Sequence, residues 1–160
     1  MKEYYAGIGS RQTPMDVCSA MTRIASMLEK DYILRSGRGE RADKAFEAGV
    51  KDPANKEIFD PRREHLAISE GAIQLVRELH PNPSSAMKYI QFLGRSAYQI
   101  LGKNLDKPVK FVVCWSINGD LIGGTAMGMR IAMKYYIPIY NMQRLTEQQV
   151  LDAIASMSDD

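Results

Sequence analysis

The feature that most constrains this chain is an alternation that starts at its fourth residue. Tyr4-Tyr5-Ala6-Gly7-Ile8 is a short apolar run that passes straight into Gly7-Ile8-Gly9-Ser10-Arg11. Thr13-Pro14 then offers a natural N-cap followed by a proline suited to the first helical position. Val17, Met21, Ile24 and Leu28 recur at helical spacing and predict one apolar stripe. Tyr32-Ile33-Leu34 reads as a second strand ending in Arg35-Ser36-Gly37-Arg38-Gly39, and a helix over 42–50 leads to a third strand, Glu57-Ile58-Phe59. Strand, glycine loop and helix in repetition predict a parallel sheet, because parallel neighbours need a crossover rather than a tight turn.

The rest of the chain continues the pattern after an interruption. Residues 61–105 read as two helices, over 64–79 and 85–101, separated by His80-Pro81-Asn82-Pro83; Ile90, Leu93, Ala97 and Ile100 mark the stripe of the second. Lys110-Phe111-Val112-Val113-Cys114-Trp115 is the clearest strand. It runs into a turn-rich loop over 116–124, a helix over 125–135 and a strand over 137–140. Thr146-Glu147-Gln148-Gln149 resembles a capping box opening a last helix. The expectation is one domain over 1–157, with 158–160 as a frayed tail. Its fold class is α/β, a three-layer Rossmann-like sandwich with a mostly parallel sheet.

Composition narrows the function classes. A 160-residue domain buries roughly 70% of its unfolded surface, so it needs no disulfide or metal staple. Lys plus Arg number 21 against 19 acids, a charge of +2 that argues against a nucleic-acid binder neutralising many phosphates. Two cysteines, Cys18 and Cys114, cannot build a disulfide framework or a four-thiolate zinc site, and they read as inert buried thiols. With only His65 and His80 besides, neither a metal nor a cofactor is expected. The N-terminus lacks a signal-peptide core and no run approaches 18 apolar residues, so a cytoplasmic protein without membrane contact is expected.

Ligands of open parallel sheets collect beyond the carboxyl ends of the strands. Three glycine-containing loops fall there, over 7–11, 36–41 and 119–125. Glycine admits close backbone approach, and a following helix N-terminus offers unpaired N–H groups to phosphate. The loops carry Ser10 and Arg11, then Ser36, Arg38 and Arg41, then Thr125 with Arg130 a turn further. Glycine serving merely to turn the chain is the plain alternative for any one loop; three at matching strand ends weaken it. No third glycine completes a dinucleotide fingerprint, and no Gly-Lys-Ser/Thr occurs, which disfavours Walker-type hydrolysis.

The order of these motifs resembles the SLOG superfamily, Rossmann-like proteins related to DNA-processing protein A and to the Lonely Guy phosphoribohydrolases. The resemblance is carried by Tyr5-Ala6-Gly7-Ile8-Gly9-Ser10-Arg11 with Pro14, Leu34-Arg35-Ser36-Gly37, and Arg41-Ala42-Asp43-Lys44-Ala45-Phe46-Glu47. It continues through His80-Pro81, Arg95 with Tyr98-Gln99-Ile100-Leu101-Gly102, Gly123-Gly124-Thr125 and Ile137-Pro138-Ile139-Tyr140-Asn141. It spans nearly the whole chain and is greatest to short phage and bacterial members of mostly unassigned function. It implies a nucleotide or nucleotide-derived ligand over the sheet edge, in a homodimer or higher homo-oligomer. The Lonely Guy branch carries an acidic pair just after its phosphate-loop threonine. Here Ala126, Met127, Gly128 and Met129 follow Thr125, so glycosidic-bond cleavage does not carry over on that motif. The usual double glycine of the second loop is Gly37-Arg38, and Ser96 stands where relatives often have Asn.

The candidate ligand-binding residues are therefore Gly7, Gly9, Ser10, Arg11, Ser36, Gly37, Arg38, Arg41, Asp43, Trp115, Gly123, Gly124 and Thr125. Arg11, Arg38 and Arg41 suit a bidentate phosphate clamp, with solvated loop arginines as the alternative. Asp43 and Glu47, at i and i+4, share a helical face and are the catalytic candidates if the protein is an enzyme. Their alternative is a first-turn acid facing the helix dipole plus a solvated Glu. Arg95 and Gln99 share a face that could reach the site, and His80 reads as a cap of the first middle helix. Trp115 either stacks on a base or packs in the core. Three functions are weighed: a sensor or sequestering protein for a small nucleotide signal, an N-glycosidase acting on nucleoside monophosphates, and single-stranded DNA binding.

Overall fold

The computed structural model describes residues 1–63, 66–117 and 123–157. Three sequence readings lie outside these: His65 as a surface residue, the middle of the third glycine loop, and the frayed tail at 158–160. Five strands form one sheet: β1 (Glu3–Gly7), β2 (Tyr32–Ser36), β3 (Lys56–Ile58), β4 (Val112–Cys114) and β5 (Ile139–Asn141). Their order is β3-β2-β1-β4-β5 and every pairing is parallel, so the expected α/β sandwich is present with a sheet that is parallel throughout. β1 lies between β2 and β4, with Ala6 opposite both Arg35 and Val112. The chain winds outward from β1 in both directions, and the crevice above β1 and β4 is the switch point where such sheets take ligands.

Helices cover both faces. On one side α1 (Met15–Leu28), α2 (Ala42–Gly49) and α7 (Glu147–Met157) close a core containing Met21, Ile24, Leu34, Phe46, Phe111 and Ile154. On the other, α3 (Glu70–Leu79), α5 (Ile90–Leu101) and α6 (Gly123–Lys134) close a core around Val76, Leu93, Ile100, Val112 and Ile131. The predicted stripe of α1 is buried at Met21, Ile24 and Leu28, with Val17 half-buried at its start. The capping box is reciprocal: Gln149 N donates to Thr146 Oγ1 at 3.2 Å, and Thr146 N donates to Gln149 Oε1 at 2.9 Å.

Three local expectations are corrected. Thr13 does not cap α1; Pro14 holds that place, and the buried Thr13 hydroxyl instead donates to Ser10 O at 2.6 Å. The helix expected over 64–79 is shorter, because the Ser69 side chain accepts from Ala72 N and starts α3 at Glu70. The helix expected over 85–101 is broken. Asn82 caps a short α4 (Pro83–Ala86), a 3₁₀ turn over Met87–Tyr89 follows, and α5 begins at Ile90. His80 ends α3 as expected, but its ring Nδ1 accepts from Asn82 N at 2.9 Å and so holds the turn rather than the helix carbonyls.

Candidate functional site

The loop after β1 stays paired with the chain beyond β4. Ile8 N donates to Val113 O and Ser10 N to Trp115 O, both at 3.1 Å. Gly9 is needed where it stands, because a Cβ there would overlap Ala42 at the start of α2. The first loop thus rests directly on the N-terminus of the second crossover helix.

The second loop is held from beneath by the two acids of α2. Glu47 Oε2 accepts from Ser36 Oγ at 2.8 Å and from Arg38 N at 2.9 Å, while Oε1 pairs with Arg38 Nε at 3.0 Å. Asp43 Oδ2 accepts from Gly39 N at 3.0 Å and lies 3.9 Å from Arg95 Nη1. Arg95 Nη1 in turn donates to Gly37 O at 2.9 Å, so close beneath the loop that a Cβ on Gly37 would collide with the guanidinium. The loop's curvature places Arg38 at φ 59° and Arg41 at φ 70°, in the left-handed region that glycine adopts freely. Arg38 holds its glycine-like conformation with bonds from its backbone N and its guanidinium to Glu47.

The third loop is described at its two ends. Ser116 N donates to Asn141 Oδ1 at 3.3 Å and Asn141 Nδ2 to Ser116 Oγ at 3.0 Å, which ties the exit of β4 to β5. α6 opens at Gly123, with φ 87°, and a Cβ added at Gly123 or Gly124 would meet no atom of the described residues within 4 Å. Both glycines line the cleft at the start of α6, where the first N–H groups of a helix have no partner within the helix itself.

The three loops surround a cleft of about 850 Å³ on the carboxyl edge of the sheet. Of the predicted residues, Gly9, Ser10, Arg11, Gly37, Arg38, Asp43, Gly123, Gly124 and Thr125 line it. Arg95 and Gln99 reach it from α5, as their shared face predicts. The cleft is also lined by Tyr89, at the end of the 3₁₀ turn before α5, and by Phe92 and Leu93 in the first turn of α5; the exposures of Tyr89 and Phe92, 60% and 40%, are high for aromatic rings. These aromatics were not singled out in the sequence. An unbroken helix over 85–101 gives no reason to place them at a cleft, and the Asn82-Pro83 start of α4 is the signal that could have done so.

Five predicted residues stand elsewhere. Gly7 is inside β1, where Phe46 and Leu34 occupy the space a side chain would need. Ser36 is buried and spends its hydroxyl on Glu47. Arg41 donates from Nε and Nη2 to Thr13 O at 2.9 and 2.8 Å, fastening the second loop to the first instead of facing the cleft. Glu47 lies behind the second loop, and at 6% exposure it is not the solvated Glu of the alternative reading. Trp115 packs half-buried against the core beneath α1 and α2.

The electrostatics of the floor are set by burial. Asp43 is 5% exposed, and desolvation pushes its carboxyl from 3.8 up to about 6, against the pull of Arg95 and of the Gly39 and Gly37 amides. Burial also lowers the Arg95 guanidinium from its ordinary value, with Asp43 opposing that shift. Gln99 is 3% exposed and its Nε2 has no hydrogen-bond partner among the described residues. Both cysteines are buried; burial raises the Cys18 thiol and takes that of Cys114 to about 12. Among the described residues no group of three or more His, Cys, Asp or Glu is placed to hold a metal, and no helix is long and apolar enough to cross a membrane. Comparison of the chain with protein-family models, curated proteins and solved structures found no match.

Proposed function

We propose that the protein binds a small nucleotide or nucleotide-derived signal in this cleft, as a sensor or sequestering protein of the SLOG type. The observation that carries the reading is the convergence of three glycine loops on one crevice at the switch point of a parallel sheet. The crevice is lined by Arg11, Arg38 and the start of α6, groups suited to phosphate. It is also lined by Tyr89 and Phe92, flat apolar surface suited to a base. Binding without turnover is supported by Ala126, Met127, Gly128 and Met129, all buried in α6, which leave no acid just after Thr125. In the same reading the protein works in the cytoplasm as a homodimer or higher homo-oligomer, and light scattering of the purified chain tests the latter.

One observation favours a second reading, N-glycosidic cleavage of a nucleoside monophosphate. Asp43 lines the cleft with its pKa near neutrality, as a general acid requires. Glu47 takes no direct part in it, because the second loop covers its carboxylate. Single-stranded DNA binding has the weakest support. Arg41, one of its expected cations, is spent on Thr13, and the cleft is compact.

Native mass spectrometry of the protein after incubation with a mixed nucleotide extract tests the proposal. Retention of one intact nucleotide at stoichiometric level is the expected result. Release of free base, abolished in Asp43→Asn, establishes the second reading. No retained or altered nucleotide overturns both.

A further inference from the structure

One buried donor at the cleft floor has no acceptor among the described residues. Gln99 lines the cleft and its Nε2 is buried without a partner there, an arrangement that ordinarily costs stability. Arg95, a donor already engaged with Gly37 O, meets the same point under Gly37 as Gln99 Nε2, and the Asp43 carboxylate, an acceptor that also lines the cleft, lies 3.9 Å from Arg95 Nη1. The loop leaves little slack over this group, since a Cβ on Gly37 would lie only 2.7 Å from Gln99 Nε2. The floor is therefore polar and offers both acceptors and donors.

Each part of a nucleotide can be weighed against that floor. Phosphate is repelled by Asp43 and has Arg11 and the α6 N-terminus elsewhere in the cleft. A base finds its apolar surface against Tyr89 and Phe92. A sugar hydroxyl both donates and accepts, so it can give its proton to Asp43 and receive one from Gln99 Nε2. A vicinal pair of hydroxyls can engage both groups at once.

We propose that Gln99, with Asp43, is the specificity-determining contact for the ribose 2′,3′-diol, so that the cleft takes ribonucleotides in preference to 2′-deoxyribonucleotides. The inference rests on the nucleotide-binding reading above and adds the sugar class. A ligand lacking the 2′-hydroxyl leaves a buried polar group unpaired, a defect for which roughly 10- to 100-fold weaker binding is expected.

The test is isothermal titration of the full chain with AMP, GMP, CMP and UMP and with their 2′-deoxy counterparts, repeated on Gln99→Met. That variant preserves the length of the side chain and deletes both polar atoms. The wild type is expected to favour the ribose form of whichever nucleotide binds by at least tenfold, and Gln99→Met to bring that ratio toward one. Equal affinity of the wild type for ribose and deoxyribose forms overturns the inference and leaves the nucleotide reading standing. A ratio unchanged in Gln99→Met overturns the role of Gln99. Heat released by none of the eight nucleotides removes the reading and the inference together. If Gln99→Met does not fold, the wild-type ratio for 2′-deoxy against 3′-deoxy ligands decides, with loss on removing either hydroxyl expected and indifference to both contradicting the diol.

Discussion

Replacing Asp43 by Asn should stabilise the protein at neutral pH and do nothing for it in acid. Asp43 is 5% exposed, and burial moves its carboxyl from 3.8 to about 6 in the folded chain. Below about pH 3.8 the group is protonated whether the chain is folded or not, and its ionisation costs nothing. Between 3.8 and about 6 the folded protein holds a proton that the unfolded chain has released, so this group's contribution falls as pH rises through that window. Above about 6 the folded state carries a buried carboxylate, at a cost of about 3 kcal/mol for the full displacement. Asn keeps the shape without the charge. The stability of Asp43→Asn relative to wild type is therefore expected to rise by about 3 kcal/mol from pH 4 to pH 8, nearly all of it below pH 7. The stronger bond that the ionised carboxylate accepts from the Gly39 amide lowers the Asp43 pKa and is already contained in the value of about 6, so it leaves that slope intact. Urea denaturation at five pH values measures the difference directly, and groups that titrate alike in both proteins cancel. A difference flat with pH, or one that shrinks as pH rises, refutes the claim that desolvation governs this carboxyl.

Other perturbations separate packing from binding. Gly124→Ala places a methyl group where no atom of the described residues lies within 4 Å, so stability should hold to within about 0.5 kcal/mol while nucleotide affinity falls, as parallel melting curves and titrations would show. Arg41→Ala removes two donors from the Thr13 carbonyl and should cost about 1–3 kcal/mol in urea denaturation, marking Arg41 as a fastener of loops. Neither Cys18 nor Cys114 should react with a thiol reagent at pH 8 until the chain is unfolded, since both are buried with raised pKa values. Rapid labelling of the native protein would contradict that placement.

The architecture was legible because it rests on periodicity and on chain order. Met21, Ile24 and Leu28 face one core as their spacing requires, and repeated strand–loop–helix units leave a parallel sheet as the consistent answer. What the sequence hid is decided by contacts distant along the chain. Arg41 and Arg38 are both loop arginines, and only tertiary structure shows one spent on Thr13 and the other turned to Glu47 while still lining the cleft. Glu47 has the surface helix spacing of a solvated residue, yet the loop that it anchors buries it. The break before α5 was hidden for a different reason. Residues 85–101 keep an acceptable helical stripe, and a single 3₁₀ turn at Met87–Tyr89 changes where Tyr89 and Phe92 point without disturbing that pattern.

The central claim is that the three glycine loops form one nucleotide site. Hydrogen–deuterium exchange of the protein, with and without a millimolar mixture of the four ribonucleoside monophosphates, tests it most directly. Slowed exchange is expected together at residues 9–12, 37–39 and 123–125. Unchanged exchange in these loops, or protection confined to the separate surface around Asp16 and Thr146, would contradict it.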